Sequence, residues 1–217
     1  MGTEASFPVS PDLAFRRHDE TPDALFYTQP RLVTHIDDGA IAAVTQIYRE
    51  MFPSNGAILD LMSSWVSHLP PEVNYARVVG LGMNREELDA NPRLTDRRVH
   101  DLNQEPTLPF PDGTFAGAAI CVSIQYLTRP VPMLREIGRV LQVGAPLVVT
   151  FSNRCFPTKA VALWLALDDA GHGGLVQRYF EIAGNWEAVQ LLDRSPGGYG
   201  DPLFATVARS LGAHQGV

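Results

Sequence analysis

The chain has 217 residues, 45% of them hydrophobic and 19% charged, a balance that excludes an intrinsically disordered protein and gives enough length for one generous domain. Its net charge of -7, with basic residues scattered in small pairs such as Arg16-Arg17 and Arg97-Arg98, excludes a nucleic-acid surface as the main partner. Two cysteines without metal or disulfide spacing, and no apolar run of spanning length, predict a reduced cytoplasmic protein with no metal site and no membrane partner.

Residues 1–22 are rich in Pro, Ser and charge and predict an extended arm lying over a single domain, 23–217. Ile36, Ala40, Ile41, Val44, Ile47 and Tyr48 recur at helical spacing, so 23–56 is expected to form a helical lid that stops at Pro53. Ala57-Ile58-Leu59-Asp60-Leu61-Met62 is a short apolar run bounded by turn signals, hence a buried strand, and Ser63-Ser64 can cap a following helix that ends at Pro70-Pro71. Ala76 to Leu81 predicts the second strand, Asn84 the N-cap of a helix with Glu86 and Glu87 in its first turn, and Arg97 to Leu102 the third strand. Phe115 to Ser123 follows as the fourth strand. Next comes a helix with Val131, Leu134, Ile137, Val140 and Leu141 on one face, then a fifth strand from Pro146 to Ser152. Helices over Lys159–Gly171 and Leu175–Gly184 precede two strands around a Pro-Gly-rich turn. Alternating strands and helices finished by a hairpin predict an α/β protein with a mostly parallel, doubly wound sheet of seven strands.

In such a sheet the carboxyl ends of adjacent strands face one crevice, which gathers Asp60, Gly82 and the Asp101-Leu102-Asn103 segment. The stretch from Asp101 to Asn153, with Leu-Pro-Phe-Pro-Asp at 108–112 and Gly-Arg-Val-Leu at 138–141, resembles the class I S-adenosylmethionine-dependent methyltransferases, and the likeness extends over roughly residues 57–155. It implies the Rossmann-like methyltransferase fold with a C-terminal antiparallel hairpin, S-adenosylmethionine as cofactor and a small-molecule acceptor. The chain departs from the family pattern at four places. Met62, Ser63, Ser64 and Trp65 stand where a glycine-rich loop is usual; Gly82 replaces the acid that accepts both ribose hydroxyls; Ala116 and Ala145 replace an Asp and a Gly.

The resemblance implies cofactor contacts from Asp60, Met62, Ser63, Ser64, Gly82, Met83, Asn84, Asp101, Leu102, Asn103 and Ser123, with Asp101 accepting from the adenine amino group. Each has a plainer reading: Asp60 as a cap for local N–H groups, Ser63 and Ser64 as helix caps, Asp101 in an Asx turn, Asn84 as an N-cap, Trp65 as core. Tyr27, Arg31 and His35 lie four residues apart and share one face of any helix. Over the crevice, Tyr27 and Arg31 would meet the cofactor, and His35 or Tyr126 would serve as general base. Two competing readings remain: a divergent ligand-binding or regulatory module that kept only the fold, and an enzyme of other chemistry on a nucleotide-like ligand.

Overall fold

A computed structural model describes residues 10–213; the first nine residues of the expected arm lie outside them. Five strands run parallel: β1 (Ala57–Leu61), β2 (Arg77–Gly82), β3 (Asp96–Val99), β4 (Gly117–Cys121) and β5 (Pro146–Phe151). β6 (Trp186–Asp193) and β7 (Phe204–Ser210) form an antiparallel hairpin, with β7 also antiparallel to β5, giving the order β3-β2-β1-β4-β5-β7-β6. Central strands such as β5 are buried along their whole length, which is why they read as unbroken apolar runs. The chain runs outward from β1 to β3 and then returns to β4, so a crevice opens over the carboxyl ends of β1 and β4.

The helices are α1 (Pro11–Ala14), α2 (Asp23–Phe26), α3 (Asp38–Met51), α4 (Arg85–Ala90), α5 (Pro130–Val140), α6 (Ala162–Leu165) and α7 (Asp169–Ala183). Asp37 caps α3 by accepting from the Ala40 amide at 2.8 Å, and Ala40, Val44, Ile47 and Tyr48 then pack with Ile58, Ala119 and Val148 on one sheet face. α5 begins with Pro130, whose missing N–H costs nothing at that position. Its Leu134 and Ile137 pack on the opposite face beside Val176 and Phe180 of α7. Because α3 lies on the sheet, the part of 23–56 that borders the crevice is 23–36.

Two expected helices are corrected. No helix follows β1: residues 62–76 are irregular, with Met62 at φ 54° and His68 at φ 52°, which no α-helix can accommodate. The two serines are engaged elsewhere, Ser63 with Asp60 and Ser64 with Glu87. Near the C-terminus the helical break falls at 166–168, not at Gly171, because Asp168 accepts from the Gly171 amide at 2.8 Å and starts α7 there. Gly173 is inside α7, where a Cβ would intrude on the Leu191 side chain of β6. α7 ends as its sequence predicts, at Gly184 in the left-handed region with φ 77°.

Candidate active site

A cavity of about 300 Å³ lies over the carboxyl ends of β1, β2 and β4. A segment spanning residues 17–36 crosses its edge and is gripped by several of the surrounding loops. Trp65, after β1, donates from Nε1 to the Val33 carbonyl at 3.0 Å. After β2, Asn84 donates to the Tyr27 carbonyl at 2.9 Å, and Glu87 Oε1 accepts from the Arg31 amide at 2.7 Å. Asn103, after β3, donates to Asp23 Oδ2 at 2.9 Å. Lys159, after β5 and fully buried, donates to the Thr21 carbonyl at 2.6 Å and lies 3.3 Å from Asp23 Oδ1. Arg17 adds two bonds to Asp23, at 2.7 and 2.9 Å. Burial alone would raise the Asp23 carboxyl, but these donors outweigh it and hold the group below its ordinary range.

At the end of β1, Asp60 is buried and accepts from the Ser63 and Ser67 hydroxyls, both at 2.6 Å and both on Oδ2. No cation pairs with it among the described residues, so desolvation prevails over the two hydroxyls and pushes the carboxyl up to about 6. Met62 keeps the positive φ that a glycine would usually supply. Among the described residues, three of the five non-glycine residues with positive φ, Met62, His68 and Val122, line the crevice, a concentration of backbone strain typical of functional sites. The Ser63 amide donates to the Leu81 carbonyl at 2.7 Å, which draws the loop across the end of β2. A Cβ at Gly82 would collide with the Ser63 carbonyl oxygen. Only glycine fits there, so the family's acid is sterically excluded and not merely lost.

Beyond β3, Asp101 Oδ1 accepts from the Asn103 and Gln104 amides at 2.9 and 3.2 Å, the Asx-type turn, leaving Oδ2 without a partner among the described residues. Leu102 and Asn103 line the same wall. Ser123, at the end of β4, has a buried hydroxyl with no partner among the described residues. Tyr126 accepts from the Phe156 amide at 2.8 Å and burial pushes its phenol up to about 12, so it is protonated at neutral pH. His35 stands at the crevice edge, its ring 5.2 Å from that of Phe156. Burial lowers its imidazole below 6.5, with Glu87 opposing and Arg31 assisting, so it is neutral at physiological pH. The Arg31 guanidinium lies 4.5 Å from the Phe26 ring centroid and donates to the Phe26 carbonyl at 3.0 Å, with no carboxylate partner among the described residues. Tyr27 completes this aromatic wall.

The crevice thus brings together Tyr27, Arg31, His35, Asp60, Met62, Ser63, Ser64, Gly82, Met83, Asp101, Leu102, Asn103, Ser123 and Tyr126. Asn84 is not among the lining residues: its side-chain Oδ1 caps α4 by accepting from the Glu87 amide at 3.1 Å, and its Nδ2 donates to the Tyr27 and Thr28 carbonyls. Trp65, His68 and His100 also line it. So do Glu87, Cys121, Cys155 and Phe156, which sequence reasoning missed as site residues. Only Glu87 carried a signal, an acid three residues after an N-cap, and that signal was explained by the helix dipole alone. Burial raises both thiols, Cys121 to about 11, which disfavours the thiolate at each.

A sequence profile of the methyltransferase domain matches residues 62–149. No curated protein matches the chain. Among solved structures, it is similar to the cyclase SpnF at TM-score 0.60 and 15% identity, covering 88% of this chain and 92% of that one. A methyltransferase from Mesorhizobium loti gives 0.55 and 15%, covering 77% and 98%; one from Aquifex aeolicus gives 0.54 and 16%, covering 86% and 96%. Likeness at this identity establishes a shared fold. The matched domain and the shared fold support a class I S-adenosylmethionine-dependent methyltransferase domain with S-adenosylmethionine as its cofactor.

Proposed function

We propose that the chain transfers the methyl group of S-adenosylmethionine to a small-molecule acceptor bound beneath residues 23–36. The observation that carries this reading is the stitching of that segment to the loops after β1, β2, β3 and β5, which roofs the cavity. A polymer would have to break these bonds to enter.

The lining suits the cofactor's groups: Asp60 offers a cation-free carboxylate for an ammonium, Asp101 a spare oxygen for an amino group, Ser123 an unpartnered hydroxyl, and Arg31 an unpartnered cation for a carboxylate. When bound, S-adenosylmethionine supplies a methyl carbon activated by the sulfonium. The protein's part is to align the acceptor and keep water away, which falls to the Phe26, Tyr27 and Phe156 rings around Arg31. His35, neutral at working pH, takes the proton that a hydroxyl or acidic carbon releases.

The competing reading, a divergent binding module, draws support from the irregular loop and from Gly82. A screen of small hydroxyl and carbon acids for S-adenosylhomocysteine formation separates the two. Turnover lost about 100-fold or more in His35→Gln supports the enzyme with that base. Saturable cofactor binding with no turnover on any acceptor sinks it.

A further inference from the structure

The cofactor's ribose presents two adjacent hydroxyls, and Gly82 leaves β2 with no side chain to receive them. Three carboxylates without a cation partner among the described residues line the crevice: Asp60, Glu87 and Asp101. Their hydrogen bonds are distributed differently. Asp60 takes both of its donors, Ser63 and Ser67, on Oδ2, and Asp101 takes both of its amides on Oδ1, so each has one uncommitted oxygen and suits a single donor. Glu87 divides its donors evenly: Oε1 holds the Arg31 amide at 2.7 Å and Oε2 holds the Ser64 hydroxyl at 2.6 Å. Both oxygens therefore keep an open lone pair, and the two bonds fix the plane of the carboxylate. That is the arrangement a vicinal diol requires. Glu87 is also on the correct strand's loop, in the first turn of α4, with its neighbours Gly82, Met83 and Ser64 on the same wall.

We propose that Glu87 receives both ribose hydroxyls of the cofactor, taking over from α4 the work that the Ser63 carbonyl bars from the end of β2. The inference rests on the crevice being the S-adenosylmethionine site. Ser64, which stands in the usual glycine loop, becomes a positioning residue that orients this carboxylate.

The test is calorimetric titration with S-adenosylhomocysteine and with its 2′-deoxy and 3′-deoxy forms. The wild type should lose about tenfold or more in affinity for each missing hydroxyl. Glu87→Gln should bind the parent compound about tenfold more weakly and then lose less than about twofold further on either deletion, as coupled partners do. Asp101→Asn should weaken binding yet keep the full deletion penalty. A penalty that persists undiminished in Glu87→Gln, or that is absent from the wild type, overturns the assignment while leaving the cofactor site intact. If Glu87→Gln does not fold, Glu87→Asp, which withdraws the carboxylate by one methylene, carries the same comparison. A wild type that binds none of the three compounds overturns the cofactor reading itself, and this assignment with it.

Discussion

Two crossovers make the same topological step in this molecule by different means. Between β4 and β5 the chain passes through α5, an amphipathic helix with a proline at its start and Leu134 and Ile137 at its buried face. Between β1 and β2 it passes through fifteen irregular residues, 62–76, held by side chains: Ser63 and Ser67 on Asp60, Ser64 on Glu87, and Asn91 on the Ser64 carbonyl at 2.9 Å. The helix satisfies its own backbone and needs only an apolar face. The coil has no such ladder, so buried polar side chains must replace it. One crossover is made for stability and can tolerate surface change; the other places polar groups at the crevice, and its cohesion depends on them.

The largest effect should come from the helical side. Leu134 is fully buried between α5 and the sheet, so Leu134→Ala should cost about 2–5 kcal/mol in denaturant unfolding through lost burial and a residual cavity. S-adenosylhomocysteine affinity of the folded fraction should stay unchanged. A loss of binding without a loss of stability would erase the contrast.

The coil side should respond with the opposite sign. A carboxyl lifted from 3.8 to about 6 by burial favours the folded state's proton, so the folded state is relieved of the cost below pH 3.8 and bears all of it above about pH 6. Asp60→Asn keeps an acceptor for the two serine hydroxyls and removes the buried charge. It should stabilise the ligand-free protein at pH 7 by up to about 3 kcal/mol and at pH 4 by almost nothing. Equal gains at both pH values would show that charge is not the cause. Gly82→Ala should be smaller than either and destabilising, by about 1–3 kcal/mol, because its Cβ meets the Ser63 carbonyl. If Gly82→Ala is neutral in thermal unfolding, the loop can move aside and the site is more plastic than its hydrogen bonds suggest.

The same contrast explains what could be read in advance. The strands, α3, α5, and the α4 cap follow from apolar period and capping residues, and these govern elements that satisfy their own backbones. Within the coil at 62–76 the sequence predicts a short helix between the Ser63-Ser64 cap and Pro70 because Trp65 and Leu69 have helical spacing, while the competing partners of the serines, Asp60 and Glu87, act through side-chain bonds that have no period. The glycines of α7 misled for a related reason: Gly171 and Gly173 serve a cap and a close contact, not a terminus. At the site, residues at strand ends were legible because topology places them. Glu87, Phe156 and Cys155 were not, since tertiary packing brings them to the crevice, while Cys121, the last residue of β4, reads from the sequence only as part of a buried strand.

The smallest effect should come from the coil's charge acting on the ligand. Below pH 6 the Asp60 carboxyl of the free protein carries its proton, and a neutral carboxyl holds a cationic ligand weakly. A bound ammonium would favour the ionised form, so binding below pH 6 must expel a proton and weakens as the solution becomes more acidic. Affinity for S-adenosylmethionine should therefore rise about tenfold, or about 1.4 kcal/mol, between pH 5 and pH 7 and level off near neutrality. His35, which also titrates below 6.5, would contribute the same sign by gaining a positive charge beside the ligand as pH falls, so the profile must be repeated on Asp60→Asn and His35→Gln. A slope lost only in Asp60→Asn assigns the pH dependence to the carboxylate that the coil holds in place. A slope lost only in His35→Gln moves the recognition of charge from the irregular crossover to the segment that crosses the crevice.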